Sequence, residues 1–181
     1  IAGGLSMKRY QRGTLSLLLF LATAGVQASP DNVHFTGNLL GGICKMEMQN
    51  GVLDTVTFPD IAASDLMLRG HSARQPVRLR LYDCPPSVQK NGVRVTFHGT
   101  EVTGMRGFLA FDATSIASGV GIGLEMLNGV SVLVNDPVGA TFPLGDGNND
   151  LMLNAWLQVI PGQDVLSGTF TATSTVIFEY L

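Results

Sequence analysis

The residues in this chain that could do chemistry are two cysteines, three histidines, a few serines and one short acidic run. Cys44 and Cys84 are the only cysteines in 181 residues. Two free thiols, two metal-ligating thiolates and a disulfide are the open readings. A zinc set wants four N or S ligands at short spacings, and no histidine stands at ligand spacing from either cysteine. His34, His71 and His98 fall on polar faces or in loops, where solvation is their role. Ser115 and Ser118 lack a Gly-x-Ser-x-Gly setting, and a nucleophilic cysteine would need both a free thiol and a histidine partner. Asp146, Asn148 and Asp150 alternate in a loop, but the spacing and closing glutamate of a calcium loop are missing, so a solvated turn is expected. Arg78, Arg80 and Arg94 read as the solvated face of two strands, with a partner contact as the alternative. The expectation is therefore a protein that is not an enzyme, with no catalytic residues, no cofactor and no metal.

The start of the chain carries an address. Lys8, Arg9 and Arg12 precede an apolar run from Leu15 to Val26, and Val26-Gln27-Ala28 offers small residues at a cleavage position before Ser29. This is the pattern of a secretory signal over residues 7–28. The run is shorter than the roughly 20 apolar residues of a transmembrane helix, so no membrane anchor is expected after cleavage. Residues 1–6 fit no signal pattern. Removing residues 1–28 takes out three basic residues and no acid, which moves the net charge from −3 to −6. An acidic chain is a poor partner for nucleic acid, which needs a basic face. Export also decides the cysteines: in an oxidising compartment an even pair reads as a disulfide. Closing that loop stabilises by roughly 4 kcal/mol on a chain-entropy reckoning.

Positioning falls to strands. Low charge with many Gly and Thr points to an all-β domain. Val33, Phe35, Gly37 and Leu39 share one face of a first segment. Val52 to Phe58 is a strand candidate ended by Pro59, and Ile61 to Gln75 reads as irregular. Val77, Leu79 and Leu81 alternate with Arg78, Arg80 and Tyr82 up to Cys84, where Pro85-Pro86 breaks the run. Val93, Val95 and Phe97 follow, then Gly107 to Phe111, then Gly121 to Leu127. Asn128-Gly129 between two apolar runs is a hairpin signal. Pro143 to Asp150 reads as loop, and Leu151 to Ile160 as a strand with Leu151, Leu153, Ala155, Leu157 and Val159 on one face. Trp156 and Met152 on its other face imply cover on both sides.

The last stretch is the most regular. From Gly168 to Leu181, one face holds Phe170, Ala172, Ser174, Val176, Phe178 and Tyr180, and the other holds mostly threonines. That is a half-buried strand. Its edge is either covered within a closed β-sandwich or open to a strand from another protein. Short strands at these intervals suggest an immunoglobulin-like β-sandwich.

A glycine fourteen residues from the end, alternating apolar residues after it and a penultimate tyrosine resemble the C-terminal motif of pilus subunits assembled by the chaperone–usher pathway. Val33-His34-Phe35-Thr36-Gly37 followed by Cys44, Leu79-Arg80-Leu81-Tyr82-Asp83-Cys84, Gly121 to Leu127, and Leu153-Asn154-Ala155-Trp156-Leu157 through Tyr180 resemble that family in the same order. The short N-terminal segment is most similar to the minor, tip-associated subunits of P-pilus-type fimbriae.

The resemblance implies an all-β, incomplete immunoglobulin-like β-sandwich lacking its last strand, the pilin fold. It implies three segments: residues 1–28 upstream and cleaved, a donor-strand extension at 29–40, and a pilin domain at 41–181. Val33, Phe35, Gly37 and Leu39 would be donor side chains; the alternative is that they form the domain's own first strand. Gly168, Phe170, Ala172, Val176, Phe178, Tyr180 and Leu181 would form the chaperone and acceptor groove, with the Leu181 carboxylate held by the chaperone. The implied partners are a periplasmic pilus chaperone, an outer-membrane usher and neighbouring pilins, which exchange strands by β-augmentation. The implied location is a fimbrium on the bacterial surface, reached through the periplasm. Only Ser29 to Asn32 precede the donor face, a departure from longer relatives that favours an adaptor or initiator over a repeating rod subunit. A fimbrial terminator or a receptor-binding, lectin-like sandwich is the alternative.

Overall fold

The computed structural model describes residues 42–181. The expected signal segment and the donor face Val33, Phe35, Gly37 and Leu39 lie outside the described residues. In chain order the elements are β1 Lys45–Met46, α1 Ala63–Arg69, β2 Gln75–Cys84, α2 Pro86–Gln89, β3 Val93–His98, β4 Glu101–Val102, β5 Met105–Leu109, β6 Val120–Met126, β7 Ala140–Phe142, β8 Gly147–Val159 and β9 Thr175–Tyr180. One sheet has the order β1-β2-β8-β6-β5-β4 and the other β7-β3-β9. All the pairings are antiparallel.

Alternation builds the core. On β2, Val77, Leu79 and Leu81 are buried while Arg78 is exposed. On β3, Val93, Val95 and Phe97 are buried from the other sheet. These two sets join Leu151, Leu153, Ala155 and Leu157 of β8 in one apolar cluster. β8 runs between β2 and β6, with Leu153 opposite Val77 on one side and Met126 on the other.

The expected cover on the far side of β8 is there. Trp156 lies edge-to-face with Phe108, ring centroids 5.9 Å apart, and Arg74 stacks over its indole at 4.7 Å. The indole lies so close over Gly123 that a Cβ there would collide with it. This explains a glycine inside the apolar strand β6, where close approach of a ring leaves no room for a side chain.

The structure departs from the sequence expectations at five places. Val52 to Phe58 is not a strand: it starts from an isolated Gln49–Val52 bridge and then runs without a ladder partner among the described residues. Strand assignment requires a neighbour, and here the Arg78 N–H bonds the Asp54 carboxylate rather than a backbone carbonyl. The stretch read as irregular contains α1. Its signals were present: Asp65 in the first turn, Arg69 in the last, and Gly70 in the left-handed conformation donating its N–H to Leu66 O. Two exposed apolar residues, Met67 and Leu68, blur its amphipathic pattern. Asn128-Gly129 does make a tight turn, with Met126 N–H on Val130 O at 2.8 Å. The returning run, however, bridges only at Ser131 before Val132 and Val134 dive into the core. β8 begins at Gly147, inside the expected loop. Finally, the long terminal strand is a ladder only from Thr175. Before that, residues 168–174 outrun β3 and lean on residues 112–117, with Asp112 N–H on Thr171 O and Ile116 N–H on Thr169 O.

Candidate functional site

Among the described residues, two stretches without a strand partner on one edge line a common groove. The first is β9, which pairs residue by residue with β3, from Val93 opposite Tyr180 to His98 opposite Thr175. No described residue pairs with its other edge. The second is residues 53–61, whose backbone makes almost no hydrogen bonds among the described residues. Thr55 N–H bonds the adjacent Asp54 carboxylate.

Between them runs an apolar groove of ≈ 1270 Å³. That exceeds the range of about 300–1,000 Å³ usual for small-molecule pockets. Its floor includes Val77, Leu79, Phe97, Leu124 and Leu157. One wall presents Leu53, Val56, Phe58 and Ile61; the other presents Phe170, Ala172, Val176, Phe178 and Tyr180. All nine wall residues pack against the core yet are only partly buried. Leaving so much apolar surface half covered is unfavourable by roughly 25 cal/mol per Å², so an apolar group entering the groove would gain that burial. Among the described residues the backbone on both sides has no ladder partner, and open strand edges of this kind can pair with an added strand.

The groove is anchored at one end. Cys44 and Cys84 form the expected disulfide, which ties the segment leading into β1 to the end of β2. Tyr180 sits beside it: burial pushes its hydroxyl up from the ordinary tyrosine range, and a hydrogen bond from the Cys44 backbone pulls it partly back. Leu181 N–H bonds Gly92 O at 3.1 Å, which fixes where the last residue lies.

Gly168, Phe170, Ala172, Val176, Phe178 and Tyr180 therefore all line the groove. Leu181 lies just past it and is 37% exposed. Sequence reasoning missed the facing wall. Val56 and Phe58, two residues apart before Pro59, were its signal, but alternation alone does not say that a strand's partner is absent.

Several other candidate residues hold the fold together, and His34 lies outside the described residues. Ser115 Oγ donates to Thr171 O at 3.1 Å and accepts from Thr171 N–H at 3.0 Å, acting as a strand partner for the 168–174 stretch. His71 Nδ1 lies 3.0 Å from Ser72 O, and His98 Nε2 lies 3.2 Å from Thr96 Oγ1. Asp150 is tied to Arg80 at 2.7 Å, and Arg80 also reaches Glu47 at 3.2 Å. The Arg80 hydrogen bond holds the Asp150 carboxyl below its ordinary value. Arg94 pairs with Glu179 at 3.1 Å across β3 and β9. The arginines thus belong to two different sheets and share no common face, contrary to the expectation.

Comparison with known proteins bears on the groove. Residues 33–181 match the family described as fimbrial protein. The chain is similar to the fimbrial-like protein YfcP of Escherichia coli K12, at 43% identity over 167 residues that cover 92% of this chain and 93% of that protein. It is similar to the fimbrial adapter PapK of Escherichia coli at 28% identity over 180 residues, 93% of this chain and 98% of the adapter. The crystal structure of the P pilus rod subunit PapA superposes with a TM-score of 0.65 at 23% identity, covering 77% of this chain and all of that one; this likeness concerns the fold.

Proposed function

Because this chain belongs to the fimbrial protein family, we propose that it is a non-enzymatic structural subunit completed by a β-strand from another protein and assembled by strand exchange. It is a chaperone–usher pilin with an immunoglobulin-like fold, a component of a fimbrium on the bacterial surface that passes through the periplasm. One observation carries the strand-completion reading: an apolar groove flanked on both sides by backbone with no ladder partner among the described residues, with wall side chains left half buried. Strand addition supplies both missing parts at once. Main-chain bonds satisfy the edges and alternate side chains fill the groove; chaperone–pilin complexes are among the known examples of this mode.

In this reading a periplasmic chaperone first lends the strand and grips the Leu181 carboxylate. At the usher, the tail of the next subunit replaces it. The chain's own tail, through Val33, Phe35, Gly37 and Leu39, fills the groove of a neighbour. The few residues between the expected cleavage point and the donor face support an adaptor or initiator near the tip.

The test uses the exported chain and a synthetic peptide of residues 29–41, whose alternating Val33, Phe35, Gly37 and Leu39 stand in for the tail of a neighbouring subunit. The peptide should raise the melting temperature and protect the chain from protease, and a Phe35→Asp peptide should do neither. A chain that melts reversibly as a lone monomer at one temperature with or without peptide would sink the reading. In cells, Phe35→Asp should block incorporation into fibres and leave chaperone binding intact.

A further inference from the structure

The strand-completion reading leaves open how the groove is kept before its strand arrives, and the following rests on that reading. Near the Gly168 end the two walls touch. The Phe58 ring lies 5.9 Å from that of Phe170, tilted by 53°. Phe170 in turn stacks on Phe111 at 4.3 Å and 9°. Three rings therefore reach from one wall to the other at the level of the core. An inserted strand must send its inward side chains to that level, because strand side chains alternate between faces.

The two rings of the cross-wall contact are held very differently. Phe170 is stacked on Phe111, and its neighbours Thr169 and Thr171 accept backbone hydrogen bonds from Ile116, Ala117 and Asp112. Phe58 stands on the wall whose backbone has almost no described bonds. When something must give way, Phe58 is the ring that moves.

We propose that Phe58 is a plug. In the unfilled chain its ring covers Phe170 and occupies part of the groove, and it swings out when a strand enters. An open apolar groove invites association with the wrong surface, and a ring that covers part of it reduces that hazard until the proper strand arrives. The plug also slows entry, since the cross-groove contact must break first.

The experiment measures association of a fluorescently labelled 29–41 peptide with the exported chain, as wild type, Phe58→Ala, Phe58→Leu and Phe58→Trp. Phe58→Ala should speed association by roughly two- to ten-fold, the span an aromatic pair contact is worth. Phe58→Leu, which keeps apolar volume and guards against a variant that fails to fold, should speed it less. Phe58→Trp should slow it. Phe58→Ala should also lower the melting temperature of the unfilled chain more than that of the filled one. Equal rates across the series, with peptide still bound by the wild type, overturn the plug and leave strand completion standing. No uptake by the wild type overturns both.

Discussion

β8 and β9 are built from the same kind of sequence and end in different states. Both alternate apolar residues with polar ones. In β8, Leu151, Leu153, Ala155 and Leu157 are 0–4% exposed. In β9, Val176, Phe178 and Tyr180 remain half buried. The difference is in the neighbours. β8 lies between β2 and β6, and Trp156 closes its outer face; β9 has β3 on one side and a groove on the other. Alternation aims side chains inward, and cover over the core face decides whether they are buried: β7, the other edge strand of that sheet, also has one neighbour, yet Ala140 and Phe142 are buried.

The comparison can be broken most forcefully at β8. Leu153→Ala removes a fully buried side chain and should cost about 2–5 kcal/mol, whether or not the groove is filled, as read by denaturant unfolding. Reducing Cys44–Cys84, or replacing both cysteines by Ala, should cost roughly 2–4 kcal/mol and should weaken peptide binding too, because the bridge anchors the Tyr180 end of the groove.

Phe178→Ala sharpens the contrast. In the unfilled chain it should cost roughly half of the 3–5 kcal/mol typical of a buried Phe, since its site is half open. In the filled chain the cost should approach that full range. An equal cost in both states would mean that the strand does not cover Phe178.

The smallest effect concerns pH. Arg80 and Asp150 face each other across β2 and β8. Arg80 holds the Asp150 carboxyl below its ordinary value, so the folded chain prefers the ionised form. That stabilisation is present above the ordinary carboxylate value of about 3.9 and is lost as pH falls through the lower, folded-state value. Both groups are exposed, so salt should screen the effect. Asp150→Asn should lose the acid-dependent part of the melting curve that the wild type shows.

Much of this was legible beforehand. Inward positions on β2, β3 and β8 follow from alternation, and the disulfide follows from two cysteines in an exported chain. Alternation set Phe170, Ala172, Val176, Phe178 and Tyr180 on one face of a regular terminal stretch, while a groove along that face was an expectation from the resemblance. Elsewhere local patterns misled. Val52 to Phe58 has the composition of a strand, yet it stays unladdered because no described strand lies beside it. α1 carried adequate end signals, but Met67 and Leu68 face outward and hide its apolar stripe. The terminal stretch reads as one strand over fourteen residues, and β3 is too short to pair with its first half.

Taken alone, the order of amino acids determined which side chains point inward, because alternation depends on neighbours within a few positions, and where the chain is stapled, because an exported chain with two cysteines has one bridge to make, across a separation of 40 residues. Only the tertiary structure decided that residues 53–61 and β9 line one groove, that Phe58 reaches across to Phe170, and that both edges have no ladder partner among the described residues. Pairing joins residues far apart in the chain, and an edge without a neighbour has the same local sequence as one that has found it.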